Sequence, residues 1–220
     1  MSTPSFTPAL GRVAPARFFD FMVALTRERL WRALVATHVA PQPGHVIVDI
    51  GCGTGSLALS LSRLEPSARI IGVDPDPEVL AVAQRKAIAD VGADTAVQWR
   101  VGMGDALAES LGVHTVDTVV SSLVLHQCSV PMKRAVLASM FAVLKPGGRV
   151  VIADYGLQRT TLMRLGFRIV QLADGRPDTQ PNADGVLPDL MADAGFCEVR
   201  ETEVVSTVSG SISIYVARKA

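Results

Sequence analysis

Val46-Ile-Val-Asp-Ile-Gly-Cys-Gly-Thr-Gly55 is the stretch on which the fold turns. Five residues, four of them apolar and β-branched with Asp49 among them, follow the turn signal Pro43-Gly44 and run directly into three glycines spaced two apart. After the glycines, Leu57, Leu61 and Leu64 recur at helical spacing. The reading is a strand that turns tightly into a helix. Glycine lets such a turn adopt left-handed backbone and lets a ligand approach the main chain. The helix start beyond it presents free N–H groups that favour a negatively charged group.

The same rhythm continues outward. Arg69–Val73 reads as a second strand, closed by Asp74. Asp76-Pro77-Glu78 then reads as an N-cap, a proline at the first helical position and an acid in the first turn. Leu80, Ala83 and Ala87 share one face of that helix. Val97–Val101 and Thr118–Leu123 are a third and fourth strand. Pro131 opens a helix with Val136, Met140 and Val143 inward, and Lys145-Pro-Gly-Gly148 is a turn into a fifth strand, Arg149–Ala153. Alternating strands and helices predict an α/β, doubly wound, mostly parallel sheet. Farther on, Leu162–Leu172 and Leu187–Ala194 read as helices, with Asp174–Asp184 as a proline- and asparagine-rich loop between them. Glu198–Val208 and Ile212–Ala217 alternate around Ser209-Gly210, which predicts a C-terminal antiparallel hairpin and a seven-stranded sheet. Residues 1–40 stand outside this alternation. They are expected to form an N-terminal helical cover of the active site, with 41–220 as the ligand-binding domain.

Composition narrows the partners. The chain has 220 residues, 49% of them apolar, with 21 basic and 21 acidic side chains and no net charge. Disorder is excluded as the main state, and nucleic acid is disfavoured as a partner. The mean hydropathy of +0.32 fits strands buried on both faces. Apolar stretches such as Val119–Leu125 are too short for a membrane span. Cys52, Cys128 and Cys197 contain no CxxC pair, which fits free thiols in a reducing, cytoplasmic setting. Either a monomer or a homodimer is compatible with the composition.

Candidate ligand residues gather at strand ends. Asp74 closes the second strand, where an acid accepts from a ribose diol in doubly wound folds. Gly102-Met-Gly-Asp-Ala106 follows the third strand, and Asp105 can accept from an exocyclic amine. Three such features at successive carboxyl ends describe a pocket for a nucleoside with a charged tail. Ser56 stands where a dinucleotide fingerprint has its third glycine, which argues against a nicotinamide oxidoreductase. The loop lacks the lysine of a triphosphate site.

In these segments the chain resembles the class I S-adenosylmethionine-dependent methyltransferases. Residues 46–55 resemble their first motif, Val73-Asp-Pro-Asp76 the ribose motif, Gly104-Asp-Ala106 the adenine motif, Ser121-Ser-Leu-Val-Leu-His126 the fourth-strand exit and Leu144–Ile152 the fifth-strand motif. The resemblance implies a Rossmann-like methyltransferase fold and S-adenosylmethionine as cofactor. It implies that Asp49, Gly51, Cys52 and Gly53 hold the methionine part and Asp74 the ribose. Asp105 and Ala106 would hold the adenine amine and ring, Pro75, Met103 and Leu123 would pack the adenine faces, and Ser121 or Ser122 would line the methionine side. On the acceptor side, His126 suits a general base and Tyr155 an acceptor contact, while Phe18, Phe19 and Tyr155 would wall a substrate pocket. Phe19-Asp20 through Trp31-Arg32 resembles the leading helices of ubiquinone/menaquinone C-methyltransferases, with Phe19 where those carry tyrosine. Leu125-His126 and Asp154-Tyr155 instead resemble phosphoethanolamine and related small-molecule N-methyltransferases, and the whole resembles the type 11/25 groups. A small, apolar or amphipathic acceptor is expected, with a non-catalytic cofactor-binding regulatory domain as the alternative.

Overall fold

A computed structural model describes residues 27–91 and 97–220. Its single sheet runs β3-β2-β1-β4-β5-β7-β6. The strands are β1 (Val46–Ile50), β2 (Arg69–Asp74), β3 (Val97–Val101), β4 (Val116–Ser122), β5 (Leu144–Tyr155), β6 (Cys197–Thr207) and β7 (Gly210–Arg218). The first five pair in parallel, β7 enters antiparallel to β5, and β6 pairs antiparallel with β7. The seven-stranded sheet and its terminal hairpin are as expected from the alternation.

Side chains alternate across each strand, so β1 sends Ile47 and Asp49 to one face and Val48 and Ile50 to the other. On the first face the helices are α1 (Glu28–Val39), α2 (Ser56–Leu64) and α3 (Pro77–Val91). Trp31, Val35, Leu57, Leu61 and Ala87 pack there with Ile47, Ile70 and Val120. On the second face α4 (Leu107–Leu111), α5 (Val130–Val143) and α8 (Leu187–Asp193) bring Leu107, Val136, Met140 and Leu190 against Val48, Val73 and Val119. Burying both faces explains the high apolar content.

The sequence reading of the helix faces holds at Leu57, Leu61, Leu80, Ala83 and Ala87, all buried, but Leu64 is exposed because α2 ends there. Asp76 caps α3 as expected, accepting from the N–H groups of Glu78 at 2.8 Å and Val79 at 3.4 Å. Lys145–Gly148 is not a free turn. It bulges within β5, where a step of two residues along β4, from Val116 to Thr118, corresponds to five along β5, from Leu144 to Arg149. Gly147 there sits at φ +76° and is held by the Lys219 carbonyl at 2.9 Å.

The segment expected to be a loop contains a helix. After α6 (Thr161–Asp174) comes α7 (Arg176–Ala183), with Pro177 in its first turn and Pro181 inside. Tertiary contacts override its poor propensity. Thr179 and Asn182 are fully buried, and the Asn182 amide donates to the Tyr155 carbonyl at 3.0 Å. The Gln158 N–H donates to the Ala183 carbonyl at 2.9 Å, so the chain leaves and rejoins the body at one point.

Of the expected N-terminal cover, residues 28–39 are the sheet-packed helix α1. The earlier part, including Phe18 and Phe19, lies outside the described residues. Among the described residues no helix is long and apolar enough to cross a membrane, and no His/Cys/Asp/Glu cluster could hold a metal ion.

Candidate cofactor and active site

Strand register brings the candidate residues to one edge. Ile50 pairs with Val73 and with Ser121, Asp74 with Val101, and Ser122 with Ala153. The sheet order reverses between β1 and β4, the switch point where open α/β sheets bind ligands.

The glycine loop is built to stay open. The Gly51 and Cys52 N–H groups both donate to the Val73 carbonyl, at 2.8 and 3.1 Å, which folds the loop back over β2. Gly51 has φ +66°, and a Cβ there would collide with the Val124 side chain. Gly53 has φ +53°, and a Cβ there would meet nothing within 4 Å. Gly53 therefore faces open space at the strand edge, which is the shape a ligand needs. Its N–H donates to Asp74 Oδ2 at 2.9 Å, while Asp74 Oδ1 accepts from Asp76 N–H at 3.0 Å. Besides the ribose contact expected of it, Asp74 thus splints the loop. Each oxygen keeps acceptor capacity for a hydroxyl. Burial raises its pKa, and the two N–H donors oppose that.

Asp49 carries an electrostatic anomaly. It is 1% exposed, and neither carboxylate oxygen has a hydrogen bond of good geometry, the backbone N–H of Ala58 giving only a weak pull. Burial lifts its pKa to about 7, against the opposing pull of Arg32 on α1 and with a further push from Asp74. An unpaired buried acid beside an open glycine loop fits a ligand that brings a cation, as the ammonium of an amino-acid tail would. Cys52 is not a nucleophile. Burial first, then Asp49 and Asp74, push its thiol far up, and its sulfur packs beneath Gly72.

The remaining pocket candidates lie on the same rim. Pro75, Met103 and Ala106 are half-buried, and Asp105 is exposed. Asp105 is not the cap of α4, because the Leu107 N–H is taken by Ser139 Oγ at 2.9 Å. The Ser121 hydroxyl donates to the Ile50 carbonyl at 2.9 Å and so ties β4 to β1, leaving the half-buried Ser122 as the more available hydroxyl. Leu123 holds φ +56°, a costly backbone state for a branched residue that clusters at functional turns.

The acceptor-side pair requires correction. His126 cannot serve as a free general base. Its Nδ1 meets Asp154 Oδ1 at 2.7 Å and its Nε2 meets Asp174 Oδ2 at 3.4 Å, so both ring nitrogens face carboxylates. Burial would lower its pKa, but the two acids overcome that and raise it to about 9. The ring is an imidazolium at neutral pH, with no lone pair to offer. Tyr155 is likewise buried. Its hydroxyl is bonded to Ser209 Oγ at 2.8 Å, its ring meets His126 edge-on at 5.0 Å, and burial raises its pKa to about 12.

Asp154, not singled out from the sequence as a functional residue, organises this corner. Its Oδ2 accepts from the N–H groups of Val124 at 3.1 Å, Leu125 at 2.7 Å and His126 at 3.4 Å, while Oδ1 accepts from the ring of His126 and the N–H of Tyr155. The turn carrying Leu123 and Val124 is thereby fixed, and Val124 in turn packs over Gly51. The only sequence signal was the Asp-Tyr pair at the end of β5. Nearby, Lys133 is fully buried and donates to the carbonyls of Cys128 and, at 2.7 Å, Asp178.

Comparison with known proteins bears on the fold and the cofactor. A methyltransferase-domain family profile matches residues 47–148. The chain is 28% identical to the demethylmenaquinone methyltransferase of Symbiobacterium thermophilum, covering 87% of this chain and 82% of the relative. It is 27% identical to the ubiquinone/menaquinone biosynthesis C-methyltransferase UbiE of Syntrophotalea carbinolica, covering 94% and 91%. The chain is a class I S-adenosylmethionine-dependent methyltransferase. Solved structures share the fold of this methyltransferase. Magnesium protoporphyrin IX methyltransferase from Synechocystis PCC 6803, with S-adenosylhomocysteine bound, superposes with a TM-score of 0.69 at 21% identity over 96% of this chain and 90% of that one. Phosphoethanolamine N-methyltransferase 2 of Haemonchus contortus superposes at 0.68 and 18% identity over 86% and 52%.

Proposed function

We propose that this methyltransferase acts on a small, apolar or amphipathic molecule and grips its cofactor along the carboxyl edge of β1, β2, β3 and β4. The observation that carries the reading is the placement of buried Asp49, whose oxygens lack a hydrogen bond of good geometry, beside the open face of Gly53. In this reading Asp49 and the Gly51–Gly53 turn receive the methionine end, with the Cys52 thiol packed neutral beneath the turn. Asp74 receives the ribose, Asp105 and Ala106 the adenine edge, and Pro75, Met103 and Leu123 its faces. Ser122 lines the methionine side, with Ser121 behind it. Residues 1–40, with Phe18 and Phe19, serve as the cover.

S-adenosylmethionine supplies, when bound, an electrophilic methyl on a sulfonium, which a nucleophile can accept in line. The chain's own task is then to orient two molecules and exclude water rather than to move protons. The acceptor side fits that division, because His126 and Tyr155 are locked in hydrogen bonds and serve as positioning residues. Relatives that methylate a quinone precursor support an apolar acceptor. The test is incubation of the chain and a metabolite extract with isotopically labelled methyl donor, read by mass spectrometry. A labelled apolar metabolite, absent with Asp74→Asn, supports the reading. Tight cofactor binding with no labelled product in any extract would instead make the chain a cofactor-sensing domain.

A further inference from the structure

Helix α6 is apolar on two sides. Phe167 and Val170 are buried in the core shared with Trp31 and Tyr155. Leu162, Leu165, Ile169 and Leu172 stand 77, 57, 48 and 88% exposed. Their spacing of three, four and three places them within an arc of about 80° on the helix surface. Gly166 lies so close to the Val208 carbonyl that a Cβ would clash. The exposed Val208 therefore extends the stripe on one flank. On the other flank are Arg164 and Arg168, both exposed. From Leu157 to Ala173 the chain carries three arginines and no acid. Arg159 is paired with Glu201, and Arg164 donates through Nε to the Gln158 carbonyl at 3.0 Å. That leaves Arg168 and the outer guanidinium nitrogens of Arg164 as the charge on this flank.

We propose that α6 docks on an anionic lipid surface, with the leucine stripe at the acyl boundary and Arg164 and Arg168 at headgroup level. A short apolar face edged by arginine, on a helix that cannot span a bilayer, is the pattern of an interfacial helix. Charge decides between occupants. Residues 1–26 carry Arg12 and Arg17 against the single acid Asp20, the same sign as the flank. A second copy would bring the same arginines to the stripe. An anionic headgroup complements them. The helix ends at Asp174, whose carboxylate reaches His126 at the exit of β4. A docked α6 thus holds the acceptor side of the site near the bilayer, a consequence that rests on the apolar acceptor proposed above.

The test is flotation of the full chain with vesicles of phosphatidylcholine alone and of phosphatidylcholine mixed with phosphatidylglycerol. Calorimetric titration with S-adenosylhomocysteine reports folding. Binding to the mixed vesicles is expected, weakened by salt. Arg164→Gln/Arg168→Gln should lower it roughly twenty-five-fold, at about a factor of five per arginine. Leu165→Glu/Ile169→Glu should abolish it, with cofactor binding unchanged in both. Equal binding by wild type and the glutamate variant, or none by wild type, overturns the proposal. So does a concentration-dependent dimer in sedimentation velocity that the glutamate variant loses while vesicles fail to bind, which assigns the stripe to a second copy. Vesicle binding without cofactor binding would sink the functional reading and leave the lipid surface standing.

Discussion

Cofactor binding at pH 6 should expel about one proton from the protein, with Asp49 as its source. In the unliganded chain, burial holds this carboxyl at about 7, well above its ordinary 3.8. A group with that value is about nine-tenths protonated at pH 6 and about one-tenth at pH 8. An ammonium placed against it favours the carboxylate. A full return toward the ordinary value would release about 0.9 proton at pH 6 and about 0.1 at pH 8. A shift of about three units corresponds to roughly 4 kcal/mol, an upper bound on the coupling between Asp49 and the ligand's cation. The sign for stability is the reverse of the usual carboxylate case. The folded value is raised, so ionising Asp49 destabilises the unliganded chain as pH climbs from about 4 to 7, and the ligand relieves this. The assay is titration calorimetry with S-adenosylhomocysteine at pH 6 in buffers of different ionisation enthalpy, whose slope counts protons. Asp49→Asn should bring the slope to zero and weaken binding. A wild-type slope of zero with binding intact, or equal slopes in the two proteins, would refute the reasoning.

Other expectations can be checked alongside. His126 is raised to about 9, so its stabilisation is complete below about 6.5 and is lost as pH rises through 9; urea unfolding at pH 6, 8 and 10 should show a decline of up to roughly 3 kcal/mol that His126→Asn lacks. Asp154→Ala strips five donors and leaves a buried imidazolium without its closer acid, which should cost about 3–5 kcal/mol and lower the melting temperature sharply. Gly51→Ala should cost both stability and cofactor affinity, because its Cβ meets Val124. Gly53→Ala, facing open space, should lose affinity with only about 1 kcal/mol of backbone strain. Calorimetry with thermal melts separates that pair, and equal melts with equal affinities would count against the loop geometry.

The cofactor edge was legible because its demands are local. A glycine that must turn, an acid that must close a strand and a cap such as Asp76 are written within a few residues of one another. The acceptor corner was not. His126 reads as a base when only its own strand exit is in view. What removes its lone pairs is Asp154, 28 residues on, together with Asp174 from another helix. Helix α7 was hidden for a similar reason. Its prolines and asparagine argue for a loop, while the burial of Thr179 and Asn182 and the bond from Asn182 to the Tyr155 carbonyl hold it helical. Buried contacts between distant segments leave no periodic trace in the chain.

The hydrogen bond from Gln158 to Ala183 has an evolutionary corollary. The segment between those residues is closed at its base by this bond, so lengthening its exposed part adds only about 0.6 kcal/mol of closure entropy per doubling. Insertions can enter the exposed stretches of this excursion while Phe167, Val170, Asp174 and Asn182, which tie it to the core and to the corner beside the rim, stay as they are. Descendants of this scaffold could thus acquire new clients by editing one excursion of the chain.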